Sequence, residues 1–457
     1  MKAFTTAIQN TLGIDLSILY TIMARGLQAI GGLLTIGLIS LFLNKEEQGY
    51  YYTFGSIAAI QIFFELGLTA IITQYVAHES IHLHWVSATQ LAGPTEHLSR
   101  LASILRLCMR VFGSLAFVLF IALVISGFVF FTTFQTGSLD INWQWPWVVT
   151  SLSTALLLLV NPLLAFLEGL GQVKQVAQLR VQQQLVALAT TILILLADGG
   201  LYASGVASLL SFLLLAGHLV FSYRRSLLIS VSQQISNTAI SYWKEIFPYH
   251  YKIALSWVSG FLLFQLFNPI VFATQGAITA GQMGMTLAAL NGVSGISMSW
   301  ISTKITLFST LIARKAYHEL DCIFNATLKQ LVLVNAVVIL TFLLILEGME
   351  QLQSPFRGRF LPLFSVLMLS FTTFVNQFVF SWATYLRCHK QEPFLIISII
   401  NGLLCVISLI FVGHYFGITG MVLGYAVFNF LIGGMGGYYV FTTKKKEWHG
   451  TGSTKLA

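Results

Sequence analysis

Long apolar runs separated by short polar punctuation set the pattern of this chain. Twelve runs can be drawn, at about 18–43, 50–77, 108–133, 146–168, 176–197, 201–222, 252–275, 281–312, 328–347, 360–386, 393–413 and 417–441. Each reaches the roughly 20 residues that a helix needs to cross the hydrocarbon core of a bilayer. The runs are continuous rather than alternating, which excludes the ~10-residue strands of an outer-membrane barrel. The pattern predicts an all-α polytopic membrane protein with twelve transmembrane helices.

Composition agrees with that class. The 457 residues are 56% hydrophobic and only 9% charged, with a mean hydropathy of +0.81; a soluble domain carries about 25% charge. Residues 1–15 hold a single Lys and no basic, apolar and small-residue sequence of a cleavable signal, so the first run is expected to stay as a membrane helix. Cys108, Cys322, Cys388 and Cys405 are scattered without C-x-x-C spacing, which points to neither a zinc site nor a disulfide framework.

Lys and Arg are shared unequally between alternate connections. One side collects nineteen of the 24, among them Arg100, Arg180, Arg225, Lys252 and Lys444 to Lys446; the other holds Lys45, Arg357 and Arg359. The positive-inside rule then makes the first side and both termini cytoplasmic, as expected of a bacterial inner-membrane protein. The net charge of +8 reflects this topology and the acidic inner leaflet rather than nucleic-acid binding. Outer connections are short, and Trp143, Trp145 and Trp147 beside the longest of them read as an interfacial aromatic belt. The long polar stretch 223–251 near the midpoint divides the chain into an N-terminal six-helix lobe (1–222), a cytoplasmic linker (223–251), a C-terminal six-helix lobe (252–441) and a cytoplasmic tail (442–457).

Against this apolar background a few polar groups stand out. Glu65 lies near the middle of the second run, Arg25 and Gln28 in the first, and Lys304 in the eighth. Charges at such depth are costly and face protein or water rather than lipid. Arg25 and Lys304 both fall in the cytoplasmic half of their runs, where a lipid diphosphate would need cationic partners; snorkelling toward the inner headgroups is the competing explanation. Gln61 precedes Glu65 by one turn on the same face. Three roles stand open for Glu65: an ion-coupling carboxylate, one half of an Arg25–Glu65 pair tying two helices together, or a sugar contact. Gln265, Asn268, Asn291, Asn376 and Gln377, with Gln28 and Gln61, are candidate sugar contacts and equally candidate interhelical glue. The Asn161-Pro162 and Asn268-Pro269 steps interrupt two further runs.

At the level of motifs, GYYYTFGSI, FFELGL and ITQY within 49–75, the EGLGQ turn at 168–172 and YLRCHKQEPF at 385–394 resemble bacterial polysaccharide transporters, the flippases of O-units and other lipid-linked oligosaccharides. These belong to the superfamily that also holds multidrug and toxin extrusion proteins and lipid II flippases. The resemblance implies two six-helix lobes around a central cavity, alternating access, and movement of an undecaprenyl-diphosphate-linked glycan to the outer leaflet. It also implies a cationic cavity, for which Arg25 and Lys304 are the available residues, and a polysaccharide polymerase with chain-length machinery as partners.

Other function classes fit less well. An exporter of cationic drugs calls for acidic cavity residues. A glycan polymerase or glycosyltransferase needs catalytic groups on substantial outer loops, and Glu46, Glu47, Asp140, Glu347 and Glu350 sit on short ones. An enzyme is therefore not expected, nor is a cofactor. His78, His82, His84 and His97 share a cytoplasmic stretch without Cys or acid at ligand spacing, so no metal site is expected. Gly420 with Gly424, and Gly433 with Gly437, have the small-xxx-small spacing of closely packed helices.

Overall fold

The computed structural model describes residues 31–87, 89–135, 141–233, 254–255, 258, 260–261, 265–351, 356–389 and 391–450. Among these, nine helices are long and apolar enough to cross a membrane, joined by the shorter apolar helix Gly31–Phe42, here α1. The second run is not one helix. It comprises α2 (Lys45–Ala58), α3 (Gln61–Glu65) and α4 (Leu68–Ser80); a turn at Ala59 and Ile60 separates the first two, and left-handed backbone at Leu66 and Gly67 the last two. Then follow α5 (Thr95–Phe134), α6 (Gln144–Gly169), α7 (Val173–Leu196), α8 (Tyr202–Phe221) and α9 (Tyr223–Ser232). The later part holds α10 (Phe267–Gln275), α11 (Ala277–Ser302), α12 (Ile305–Ala313), α13 (Tyr317–Gln351), α14 (Leu363–Arg387) and α15 (Leu395–Phe428), then a π-helical segment Asn429–Gly436 and α16 (Gly437–Gly450).

Helices thus form in each of the twelve runs; parts of the first and seventh lie outside the described residues. The chain is an all-α polytopic membrane protein. The helices reach further than the apolar runs at several ends. α5 has 40 residues, about 60 Å at 1.5 Å per residue, twice the hydrocarbon thickness. Its polar first turns precede the apolar run, and beside them an antiparallel hairpin of His84–Ser87 and Gln90–Ala92 adds a small β element to the helical fold. The hairpin turn is held to α9 by the Ser230 hydroxyl, which donates to the Thr89 carbonyl at 2.8 Å.

Two compact units partition the contacts. The first comprises Met1–Leu43, Ile57–Gln135 and Leu139–Trp257; the second comprises Asn44–Ser56, Thr136–Ser138 and Val258–Ala457. The first unit is organised around α6, which packs against α4, α5 and α8. Trp143 and Trp147 are four apart at the start of α6 and share a face; they are 1% and 0% exposed, while Trp145 on the opposite face is 71% exposed. Two of the three residues expected in an aromatic belt are therefore core. The Trp147 indole N–H donates to the Leu123 carbonyl at 2.9 Å, satisfying the one polar atom of the ring. Gly127 makes room for it, since a Cβ there would lie 1.9 Å from the indole nitrogen.

In the second unit, α11 packs against α10, α13 and α14. The first turns of α2 belong here because small residues and one buried amide hold them. A Cβ on Gly49 would meet the Ala277 carbonyl oxygen at 2.0 Å, and one on Gly284 would meet Tyr52 at 2.3 Å. Gln48, 1% exposed, donates to the carbonyls of Gly281 (2.8 Å) and Arg359 (3.0 Å), and accepts from the Arg359 guanidinium at 3.1 Å. Burial pushes the Arg359 guanidinium down from its ordinary value, and Glu47 opposes the shift. At the other end of the unit Phe308, Phe324, Tyr385 and Phe441 form an aromatic core. The final two runs fold back on one another at Gly417, whose φ of 59° favours glycine, and Gly424 allows the Ser408 hydroxyl within 1.9 Å of where a Cβ would stand.

His389, in the turn after α14, and His449, near the end of α16, place their Nε2 atoms 3.2 Å apart, so a single shared proton joins two neutral rings. Burial lowers the His389 pKa, against the raising effects of the Tyr385 carbonyl and Asp321. A base held below its unfolded value contributes stability above that value, about pH 6.5, and loses it as pH falls through the folded one. Acidification from pH 7.5 to 5 is expected to expose the end of α16 to limited proteolysis, and His449→Phe to flatten that pH response. Gly127→Leu is expected to cost about 1–3 kcal/mol by overpacking, read as a lowered Tm of the detergent-purified protein with a shifted tryptophan emission.

Candidate functional site

The breaks in the second run place Glu65 at the end of a five-residue helix. Gln61 opens that helix and is half-buried beside it. The Glu65 carboxylate accepts from the Thr69 hydroxyl at 2.5 Å, across the left-handed step and next to the first turn of α4. The start of a helix carries partial positive charge, which suits an anion. Sequence reasoning named Arg25 as the counter-charge for Glu65; Arg25 and Gln28 lie outside the described residues. The structure supplies another cation. Arg180 of α7 is within electrostatic reach of both Glu65 and Glu168, the latter at the end of α6. Its guanidinium donates to the Asn161 side-chain oxygen at 3.2 Å and to that of Gln183 at 3.3 Å.

This polar group was only partly legible. Arg180 was counted with the cytoplasmic cations, but α7 begins at Val173 and makes Arg180 its eighth residue, half-buried among helices of the first unit. The signal was present in the spacing: Asn161 lies eight residues before the end of α6 and Arg180 seven residues past the start of α7, so antiparallel helices joined by the tight turn at Gly171 bring these two to comparable depth. Asn161 of the Asn-Pro step is a hydrogen-bond acceptor for Arg180.

Lys304 sits between α11 and α12, at a break in the eighth run. Its side chain is exposed, and among the described residues it has no ion-pair or hydrogen-bond partner. The second unit also encloses a cavity of about 210 Å³ between α11, α14 and α15. Its polar lining is Asn291, Ser294, Thr372, Thr373, Asn376 and Tyr425; leucines and Phe380 complete the wall. Asn291 and Asn376, named from the sequence, are thus brought together. Gln377 is fully buried beside the cavity and donates to the Ser294 hydroxyl at 2.8 Å. Asn268 is 3% exposed, its side-chain oxygen without a partner among the described residues, and Gln265 lies half-buried in the turn before α10. Behind Tyr425, the amides of Asn401 and Asn429 bond at 3.2 Å where the helix takes its π-helical form, a local irregularity frequent at functional sites. Trp382, a candidate for sugar stacking, is packed between Phe378 and Phe441; Trp300 is exposed, and Trp257 lies outside the described residues. No group of three or more metal-ligating side chains occurs among the described residues.

No family model and no curated protein sequence matches the chain. Its fold does match solved structures over almost the whole length. A multidrug resistance MATE family transporter of the MOP superfamily, in an inward-facing conformation, aligns with a TM-score of 0.64 at 14% identity, covering 98% of this chain and 99% of that one. The lipid II flippase MurJ aligns with a TM-score of 0.56 at 14% identity, covering 94% and 87%. A MOP superfamily transporter from Pyrococcus furiosus aligns with a TM-score of 0.56 at 13% identity, covering 95% of each chain.

Removing the Arg180 charge leaves Glu65 and Glu168 without their described cation. Arg180→Ala is expected to destabilise the protein by about 2 kcal/mol, below the 3–5 kcal/mol of a fully buried pair because the site is partly accessible. Adding Glu65→Gln and Glu168→Gln should recover most of the loss; thermal denaturation of wild type, the single variant and the triple variant measures both effects. Over nearly its whole length the chain shares the fold of these solved transporters.

Proposed function

We propose that this protein is a flippase that carries an undecaprenyl-diphosphate-linked oligosaccharide, a repeat unit of O-antigen or another surface polysaccharide, from the inner to the outer leaflet by alternating access. The observation that carries this reading is Lys304: an ammonium without an acidic partner among the described residues, set at a helix break inside an apolar run. An unpaired cation at such a place calls for an anion, and a lipid diphosphate is an anion that arrives through the membrane. Arg25 is assigned the same role, as the bidentate partner of phosphate. The inner-membrane location with cytoplasmic termini, and a polysaccharide polymerase with chain-length machinery as partners, belong to the same reading.

A second reading has its own observation. In the first unit two carboxylates, Glu65 and Glu168, share one described guanidinium, an excess of negative charge that suits a cationic drug or a coupling ion. Transporters of this fold serve both ends: MATE proteins are multidrug resistance transporters and MurJ is a lipid II flippase, while reverse polarity of the binding pocket has been taken to suggest a different function for the Pyrococcus furiosus transporter. Within the flippase reading Glu65 is the coupling carboxylate.

In a strain deleted for the gene, lipid-linked repeat units are expected to remain on the cytoplasmic face, and wild type but neither Lys304→Ala nor Arg25→Ala at matched membrane expression to restore surface glycan. Units that reach the outer face unpolymerised would overturn the reading in favour of an enzyme acting after the flip. Glu65→Gln is expected to abolish dependence on the ion gradient; retained dependence would remove its coupling role. Export of a cationic dye by wild type, with surface glycan unaffected by deletion, would select the second reading.

A further inference from the structure

We infer that the cavity of the second unit is a site for one uncharged sugar ring, and that Asn291 and Thr373 are its principal contacts. The inference rests on the flippase reading and gives it a glycan site separate from the diphosphate. No charged side chain lines the cavity. It therefore offers nothing to a phosphate or to a cationic drug and suits a neutral ligand with many hydroxyls.

Size narrows the ligand further. About 210 Å³ lies below the ~300–1,000 Å³ of pockets for drug-sized molecules, a size that suits one ring. Hydrogen-bonding capacity is left unused in the lining. Thr372 spends its hydroxyl on the Met368 carbonyl at 2.9 Å, whereas Asn291 and Thr373 carry no hydrogen bond among the described residues. Ser294 accepts from Gln377 and keeps its own O–H to donate. Asn376, 8% exposed, presents an amide from the opposite helix that also bonds to Tyr425. An amide supplies both donors and an acceptor, and a hydroxyl supplies one of each kind, which matches the vicinal hydroxyls of a pyranose. Phe380 and Tyr425 give the apolar ring face an aromatic wall.

Part of the wall is interhelical glue: Gln377 of α14 bonds to Ser294 of α11, and Asn376 of α14 to Tyr425 of α15. Asn291 on α11, which is exposed, and Thr373 on α14, which is half-buried, take no part in it, and their polar groups are accessible to a ligand hydroxyl.

The test uses the full-length protein in lipid nanodiscs and saturation-transfer difference NMR with three free probes, the methyl glycosides of galactose, rhamnose and N-acetylglucosamine. At least one is expected to bind wild type, and Asn291→Leu and Thr373→Val each to weaken it about tenfold, the loss of one or two hydrogen bonds. Asn291→Gln, which keeps the amide, should retain more binding than Asn291→Leu, so that a merely misfolded variant is told apart. Absence of binding by wild type for all three glycosides, or binding unchanged in both the Leu and Val variants, overturns the inference. Stranding of lipid-linked units in the deletion strain reports on the flippase reading alone. Stranded units with no glycoside binding would sink the sugar site and leave the flippase; glycoside binding sensitive to Asn291 with no stranding would do the reverse.

Discussion

A bilayer supplies no water to the peptide backbone, so each N–H and C=O of this chain within the membrane must be satisfied by the protein itself. Continuous helices meet that demand at no further cost, and most of the chain takes that form. The exceptions are the informative places. The second run breaks at Leu66 and Gly67, where Leu66 N–H returns to the Ile62 carbonyl and Ala70 N–H to that of Gly67. The eighth breaks at Thr303 and Lys304, where Thr303 N–H returns to Ser299 and Lys304 N–H to Ile301. Each break stands beside a charged side chain, Glu65 in one case and Lys304 in the other. Irregular backbone and intramembrane charge thus coincide, as expected where helices line a polar site rather than face lipid.

The two units solve the problem of polarity in different ways. In the first, charges are gathered: Glu65, Glu168 and Arg180 offset one another, with Thr69, Asn161 and Gln183 completing their hydrogen bonds. In the second, the enclosed polar surface is neutral, built from amides and hydroxyls on α11, α14 and α15. Mutual compensation lowers the desolvation cost of charges without removing it, which leaves such a group responsive to a change in ion occupancy. A neutral cavity has no such response.

Similarity of fold without similarity of sequence follows from the same constraint. At 13–14% identity the likeness to MOP superfamily structures is one of helix order and packing. Any sufficiently apolar side chain satisfies a lipid-facing position, so many sequences meet the requirement. What distinguishes one such chain from another is then the few polar residues that the packing brings together.

Span number, helical class, the cost of Glu65 and Lys304 in their runs, and the candidacy of Asn291 and Asn376 were all determined by the sequence, because hydrophobic length and the energetics of burying polar groups are properties of single segments. Tertiary structure alone decided who meets whom. Only packing shows that Arg180 approaches Glu65, that Trp143 and Trp147 are core while Trp145 is exposed, and that residues 44–56 belong with a unit formed mostly by the second half of the chain. Helix starts account for part of this difference. Apolar content marks where a helix is buried in lipid, whereas its polar first turns are stabilised by neighbouring helices, so α5 begins before its apolar run and carries Arg100 with it. Partner choice between helices depends on small residues and single hydrogen bonds, such as Gly49 against Ala277 and Gln48 to Gly281, which leave no periodic trace in one sequence.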